Sequence, residues 1–163
     1  MTNETFHNNS DITDSKDRVR NHTSTQVNAK IDQKIADTVQ KYAAQSPTSL
    51  SERLDELERE WDTERVLEAN ASTLAFVSLM LGIFVNHNWF WLTGIVLPFL
   101  FQHAVQGWCP PLPLIRRLGV RTRNEIDREK YALKALRGDF ETVSASEGNI
   151  SKRVNAVLQA VEA

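Results

Sequence analysis

Charged residues are absent from one long stretch of this chain: residues 69–115 contain no Asp, Glu, Lys or Arg. A helix needs about 20 predominantly apolar residues to cross a bilayer. The uncharged stretch is therefore too long for one span and suits two spans joined by a turn at residues 86–88. The sequence predicts an all-α protein built on a membrane hairpin, residues 69–109, with transmembrane helices at 69–85 and 89–108. A soluble helical hairpin buried in a protein core is the alternative interpretation.

The sequence also lacks the residues that several kinds of catalytic, nucleotide-binding and metal sites require. A single cysteine excludes a disulfide within one chain. The sequence has no Walker loop, no Gly-x-Gly-x-x-Gly, no serine elbow and no paired carboxylates within the hairpin. Cys109 and His103 supply two metal ligands where zinc usually takes three or four. We therefore expect no enzymatic activity, no cofactor and no metal.

The turn between the predicted spans lacks Lys and Arg, whereas arginines follow the second span closely. They are Arg116, Arg117, Arg121 and Arg123. Positive residues stay on the cytoplasmic side, and a hairpin returns both flanks to the same side. Both termini are predicted to face the cytoplasm. Topology accounts for these arginines, so we expect no nucleic-acid partner.

The predicted first span carries a face of small residues, namely Ala71, Ala75, Ser78 and Gly82. Their spacing of 4, 3 and 4 places them on one side of a helix, where another backbone can approach closely. This helix-packing face has two interpretations: contact within the hairpin, and the seam of a dimer. One face can serve both.

The flanks of the hairpin read as polar and helical segments. Residues 1–26 are predicted to be a disordered polar tail, since they hold few large apolar side chains. The predicted segments that follow are an amphipathic helix at 27–45, an acidic juxtamembrane helix at 49–68, a Pro-rich turn with a basic cytoplasmic helix at 110–140, and a linker with a short amphipathic helix at 141–163. A capping box at residues 49–52 opens the acidic helix, which should run unbroken into the first span. The acidic and basic flanks should pair.

Polar residues cluster near the end of the second span. Gln102, Gln106 and Cys109 share one helical face, and His103 lies beside it. Polar groups inside a membrane often mark function, but hydrogen bonding between helices also explains them. Cys109 has four interpretations: sulfur acceptor, palmitoylation site, intermolecular disulfide, or small apolar residue.

A short motif lies where the hairpin ends. Gly107-Trp108-Cys109-Pro110, followed by Leu-Gly-x-x-Thr at residues 118–122, resembles the YgaP-like transmembrane domain family over about residues 66–122. Pro111 and Pro113 depart from the family's shorter Cys-Pro pattern. The resemblance implies a two-helix anchor in the bacterial inner membrane, with Cys109 at the cysteine of the motif. Some members carry a rhodanese domain that transfers sulfur; this chain has none, so that activity is not implied.

The leading functional hypothesis is a non-enzymatic membrane anchor or scaffold that self-associates. Its expected partners are the lipid bilayer and either a second copy or another membrane protein. The first alternative is a holin-like pore for small solutes, lined by Gln102, His103 and Gln106. The second alternative is a thiol or sulfur relay at Cys109.

Overall fold

The computed structural model describes residues 17–141 and 150–162. These ranges are helical and contain no strand, which confirms the prediction of an all-α chain. The helices are α1 (Arg18–Asn21), α2 (Thr25–Ala43), α3 (Pro47–Arg59), α4 (Thr63–Phe84), a 3₁₀ turn (His87–Trp89), α5 (Phe90–Gln106), α6 (Leu112–Arg117), α7 (Arg123–Arg137) and α8 (Ile150–Glu162).

The chain divides into two compact units. The hairpin unit consists of Met1–Ile31, described from residue 17, together with Trp61–Asn124. The charged unit consists of Asp32–Glu60 and Glu125–Ala163. Each unit has its own hydrophobic core.

Helices α4 and α5 form a helical hairpin around a tight turn. Asp62 caps α4, because its Oδ1 accepts a hydrogen bond from the backbone N–H of Arg65 at 2.8 Å. In the turn, Asn86 Oδ1 accepts from the backbone N–H of Asn88, also at 2.8 Å. Among residues 17–141 and 150–162, one helical stretch, within Pro47–Phe84, is long and apolar enough to cross a membrane, and 17% of its most apolar window is buried.

The small-residue face makes two close contacts with α5. Ser78 is buried, and its Oγ lies 2.6 Å from Thr93 Oγ1 on α5. Gly82 is also buried, and a Cβ atom there would lie 2.5 Å from Cε1 of Phe90. Ala71 and Ala75 on the same face are half-buried. Ser78 and Gly82 of the small-residue face thus contact the partner helix of the hairpin.

The base of the hairpin unit has an apolar core that includes the N-terminal segment. Its buried residues are Val19, Leu67, Cys109, Leu112 and Ile115. Asp17 caps α1 by accepting from the backbone N–H of Arg20. The predicted disorder is therefore wrong for residues 17–26, where α1 and the start of α2 form; residues 1–16 lie outside the described residues. A buried apolar side chain, a helix cap and hydrogen bonds to the end of α5 and to Thr122 hold this polar segment in place.

The charged unit packs α2, α3 and α7 around an apolar cluster. The cluster comprises Leu50, Leu54, Leu57, Ile126 and Leu133, with Val39 and Tyr42 against it. Helix α3 begins one turn earlier than predicted, because Ser46 rather than Ser49 is the cap and Pro47 occupies the first turn.

The prediction of one unbroken helix from the acidic flank into the first span is wrong. Helix α3 ends at Arg59, and Asp62 starts α4 as a new helix. Thr63 reinforces the break: its backbone N–H and its hydroxyl both donate to the carbonyl of Arg121, at 2.8 and 3.0 Å. The backbone N–H of the first residue of α4 therefore has its acceptor at Arg121 and not in α3.

Opposite charges do pair between the two flanks in the charged unit. Arg53 donates to Glu129 Oε1 from Nε at 3.0 Å and from Nη2 at 2.8 Å. Lys130 pairs with Glu58. Arg53 lies in the acidic flank and Glu129 in the basic one, so this pair runs opposite to the net charges of its segments.

Candidate functional site

His103 is the most unusual polar residue of the hairpin unit. It lies in the last turn of α5 and is 7% exposed. Its Nδ1 is buried and has no hydrogen-bond partner among the described residues. Leaving a buried donor or acceptor unsatisfied costs about 1–3 kcal/mol. Such a group marks a place where a ligand can supply the missing partner.

One side of His103 faces a polar cavity of about 380 Å³. Its charged and polar lining residues are Asp17, Arg18, Glu64, Glu68, Thr122, Arg123 and Asn124. Glu64 and Glu68 lie one turn apart on α4, line the cavity and are exposed. Neither makes an ion pair within the described part of the chain. The cavity therefore contains three carboxylates, from Asp17, Glu64 and Glu68, alongside two guanidinium groups.

His103 also lines a second, apolar cavity of about 410 Å³. Its apolar side chains include Leu67, Leu74, Val96, Phe99 and Ile115. Leu100 and His103 line both cavities, so the two spaces adjoin along α5. Each volume is within the range of small-molecule sites.

Arg18 lies at the end of α5 and satisfies its last carbonyls. Its Nη1 donates to the carbonyl oxygens of Ala104 and Val105, both at 2.9 Å. A cation at a helix C-terminus is also favoured by the helix dipole. Gly107 ends the helix in a left-handed conformation, φ 75°, and a Cβ there would lie 2.5 Å from Cβ of Arg18. Only glycine allows this approach without a shift.

Asp17 also lines the polar cavity. Its Oδ2 accepts from the hydroxyl of Thr122 at 2.6 Å and from Asn124 Nδ2 at 3.3 Å. Because Asp17 already has these partners, Glu64 and Glu68 are the cavity's more available carboxylates.

Arg116 organises the base of the hairpin unit from a buried position. It donates to Thr23 Oγ1, to Asn28 Oδ1 and to the carbonyl of Val120, at 2.9–3.1 Å. Arg121 is buried as well, whereas Arg117 and Arg123 are exposed. Two of the four arginines predicted to set topology, Arg116 and Arg121, are therefore buried parts of the folded unit.

The predicted cluster of polar residues on α5 divides in the structure. Helix α5 ends at Gln106, so Cys109 does not share its face with the glutamines as predicted. Cys109 is instead 4% exposed, packed in the core of the hairpin unit, and lines the apolar cavity with His103. Gln102 donates to Gln106 at 3.4 Å, and neither glutamine is among the residues that line the two cavities.

The charged unit has its own perturbed ionisable groups. Burial lowers the pKa of Lys134, whose Nζ donates to the carbonyl of Val161 at 2.7 Å. Hydrogen bonds from Arg137, at 2.6 and 2.8 Å, lower the pKa of Asp139. Both groups support helix ends rather than a cavity. We assign them a structural role.

No group of three or more His, Cys, Asp or Glu suited to a metal ion occurs among residues 17–141 and 150–162. Comparison of the chain with protein-family models, curated proteins and solved structures finds no match.

Proposed function

We propose that this chain is a small, non-enzymatic membrane protein. In it, α4 and α5 cross the bilayer as a two-helix hairpin and anchor the charged unit on the cytoplasmic side. The proposal extends to self-association of the anchored unit. The YgaP-like resemblance favours the bacterial inner membrane as its location.

The observation that carries the proposal is the uncovered apolar surface of the hairpin. Large apolar side chains of both helices are exposed, up to 80% for Phe84. They include Leu74, Phe76, Val77, Ile83, Trp91, Ile95, Leu97 and Phe101. A buried core helix would hide such residues, and a surface patch of this extent in water favours aggregation. Lipid would cover it.

The ends of α5 support the same placement. Trp89 and Trp91 precede or begin the helix, and Trp108 follows it. At 1.5 Å per residue the 17 residues of α5 span about 26 Å, close to the hydrocarbon thickness. Tryptophan prefers both membrane interfaces.

Membrane fractionation and tag accessibility test the hairpin. The full chain should stay in the pellet after carbonate extraction. Tags at both termini should be reachable from the cytoplasm, and a tag at His87 should be protected. Recovery of the protein in the soluble fraction, or a cytoplasmic tag at His87, would contradict the proposal.

Helix α8 offers the surface for self-association. Ile150, Val154, Val157 and Val161 are exposed and follow a spacing of 4, 3 and 4, the heptad seam of paired helices. The small-residue face is less available, since Ser78 and Gly82 contact α5. A second copy of α8 is the partner with a matching seam. Two heptads are short for a free coiled coil, but anchoring in one membrane raises the effective concentration of the copies.

Cross-linking in native membranes tests this second element. Val157→Glu places a charge in the seam and should abolish the cross-linked dimer. Asn155→Glu adds the same charge at an exposed position off the seam and should leave the dimer intact. Monomers alone in the parent protein, or equal dimer in both variants, would refute self-association through α8.

A further inference from the structure

We infer that the two adjoining cavities at His103 bind a single phospholipid with a primary ammonium headgroup. The headgroup would occupy the polar cavity and one acyl chain the apolar cavity. This inference rests on the membrane placement of the hairpin proposed above.

The division of polarity fits an amphiphile. Charged side chains line the polar cavity, whereas the apolar cavity is lined mostly by aliphatic and aromatic side chains. Leu100 and His103 belong to both walls, so one molecule can extend across them. A water-soluble ligand would leave the apolar cavity unused.

The charges favour a zwitterion over an anionic lipid. Glu64 and Glu68 make no ion pair among the described residues and can together accept hydrogen bonds from an –NH₃⁺ group. Arg18, fixed by two carbonyl contacts at the end of α5, offers a guanidinium for the phosphate. An anionic headgroup without an amine would occupy the guanidinium but leave Glu64 and Glu68 without an ammonium partner.

His103 supplies the independent observation. The side chain lines both cavities and is 7% exposed, and its buried Nδ1 has no hydrogen-bond partner within the described ranges. The ester and glycerol oxygens of a phospholipid lie between headgroup and acyl chain. A ligand spanning the cavities therefore places polar atoms beside the imidazole of His103.

The test measures the thermal midpoint of the full chain in detergent, because a ligand that binds only the folded state raises it. Three additives are compared: phosphatidylethanolamine, phosphatidylglycerol with the same acyl chains, and soluble glycerophosphoethanolamine. We expect the midpoint to rise with phosphatidylethanolamine, with at least tenfold weaker apparent affinity for the other two. Equal affinity for both lipids would overturn the headgroup assignment, and equal affinity for the soluble ester would overturn the lipid assignment.

Variants distinguish binding from folding. The double change Glu64→Gln and Glu68→Gln should lower the apparent affinity for phosphatidylethanolamine at least tenfold. Asp37→Asn, an exposed carboxylate of the charged unit, should leave it unchanged. His103→Leu should keep or raise the lipid-free midpoint, because it removes the unsatisfied nitrogen, yet should reduce the lipid-induced rise. Unchanged affinity in the double variant would refute the site.

The proposed membrane location can fail separately. Carbonate extraction of the same proteins reports membrane insertion whatever lipid they bind. Insertion of the parent protein without selectivity for the ammonium lipid would overturn this inference and leave the anchor proposal standing.

Discussion

Gly82 and Phe90 define the closest approach between α4 and α5: a Cβ on Gly82 would lie 2.5 Å from Phe90 Cε1 and 2.6 Å from Cδ1. No real side chain tolerates such a distance, so the ring would have to move. The position thus sets how near the two helices can lie. This contact leads to the first prediction.

Gly82→Ala should destabilise the hairpin by about 1–3 kcal/mol, the usual cost of overpacking. Gly94→Ala is the matched control, because no atom lies within 4 Å of a Cβ at that position. It should change stability by at most about 1 kcal/mol, in the stabilising direction. Unfolding of the full chain in detergent, followed by helical circular dichroism, measures both. Equal stability of the two variants would mean that Phe90 adjusts freely.

The hydroxyl pair Ser78–Thr93 should contribute modestly to the same interface. Their oxygens are 2.6 Å apart, and under the bilayer placement proposed above a hydrogen bond between the two helices contributes about 0.6 kcal/mol on average. A double-mutant cycle of Ser78→Ala and Thr93→Ala should give a coupling free energy of that order. A coupling near zero would show that each hydroxyl is satisfied within its own helix, as Ser78 can be through the carbonyl of Ala75.

Arg53 contacts one buried and one exposed carboxylate, which gives an internal comparison in the charged unit. Glu129 is 1% exposed, whereas Glu56 is exposed. Glu129→Ala should destabilise the unit by about 3–5 kcal/mol, since it strips a buried charge pair. Glu56→Ala should cost about 0.3–0.5 kcal/mol. Hydrogen exchange of α7 amides in the full chain can measure the difference, and similar losses would contradict the burial argument.

Asp139 should make the charged unit sensitive to acid. Hydrogen bonds from Arg137 hold its pKa below the ordinary value of about 3.9. The resulting stability is fully present above that ordinary pKa and is lost as pH falls through the lower pKa of the folded state. Asp139→Asn should therefore lower stability at pH 7 and flatten the pH dependence below pH 4. Asp37→Asn, which removes an exposed carboxylate of the same unit, should leave stability at pH 7 unchanged.

The architecture of the hairpin could be predicted because it follows from long-range composition. The lack of charge in residues 69–115 and the polar turn at 86–88 mark two apolar helices whatever their neighbours. The predicted boundaries 69–85 and 89–108 fall close to the apolar part of α4 and to α5. The opposite net charges of residues 52–68 and 116–137 likewise indicate two helices that pair.

The polar cavity could not be predicted, because its walls come from segments far apart in the sequence. Asp17 and Arg18 belong to a polar stretch whose composition is typical of disordered segments. Glu64 and Glu68 lie in a run of acidic residues that gives none of them special weight. The break before Thr63 was visible only as an Asp-Thr dipeptide, a weak signal beside the strong helical pattern on both sides. Tertiary contacts, and not local propensity, decide these positions.

The contacts of the N-terminal segment impose an order on assembly during synthesis. Asp17 and Arg18 meet partners 86–107 residues downstream, and Arg116 reaches back 88–93 residues to Asn28 and Thr23. At about 5–20 residues per second, the ribosome supplies those partners roughly 5–20 s after the segment itself. Both helices of the hairpin are made in that interval. The base of the hairpin unit is therefore completed only after both hairpin helices are made, when the newly made arginine meets a threonine and an asparagine that were translated before them.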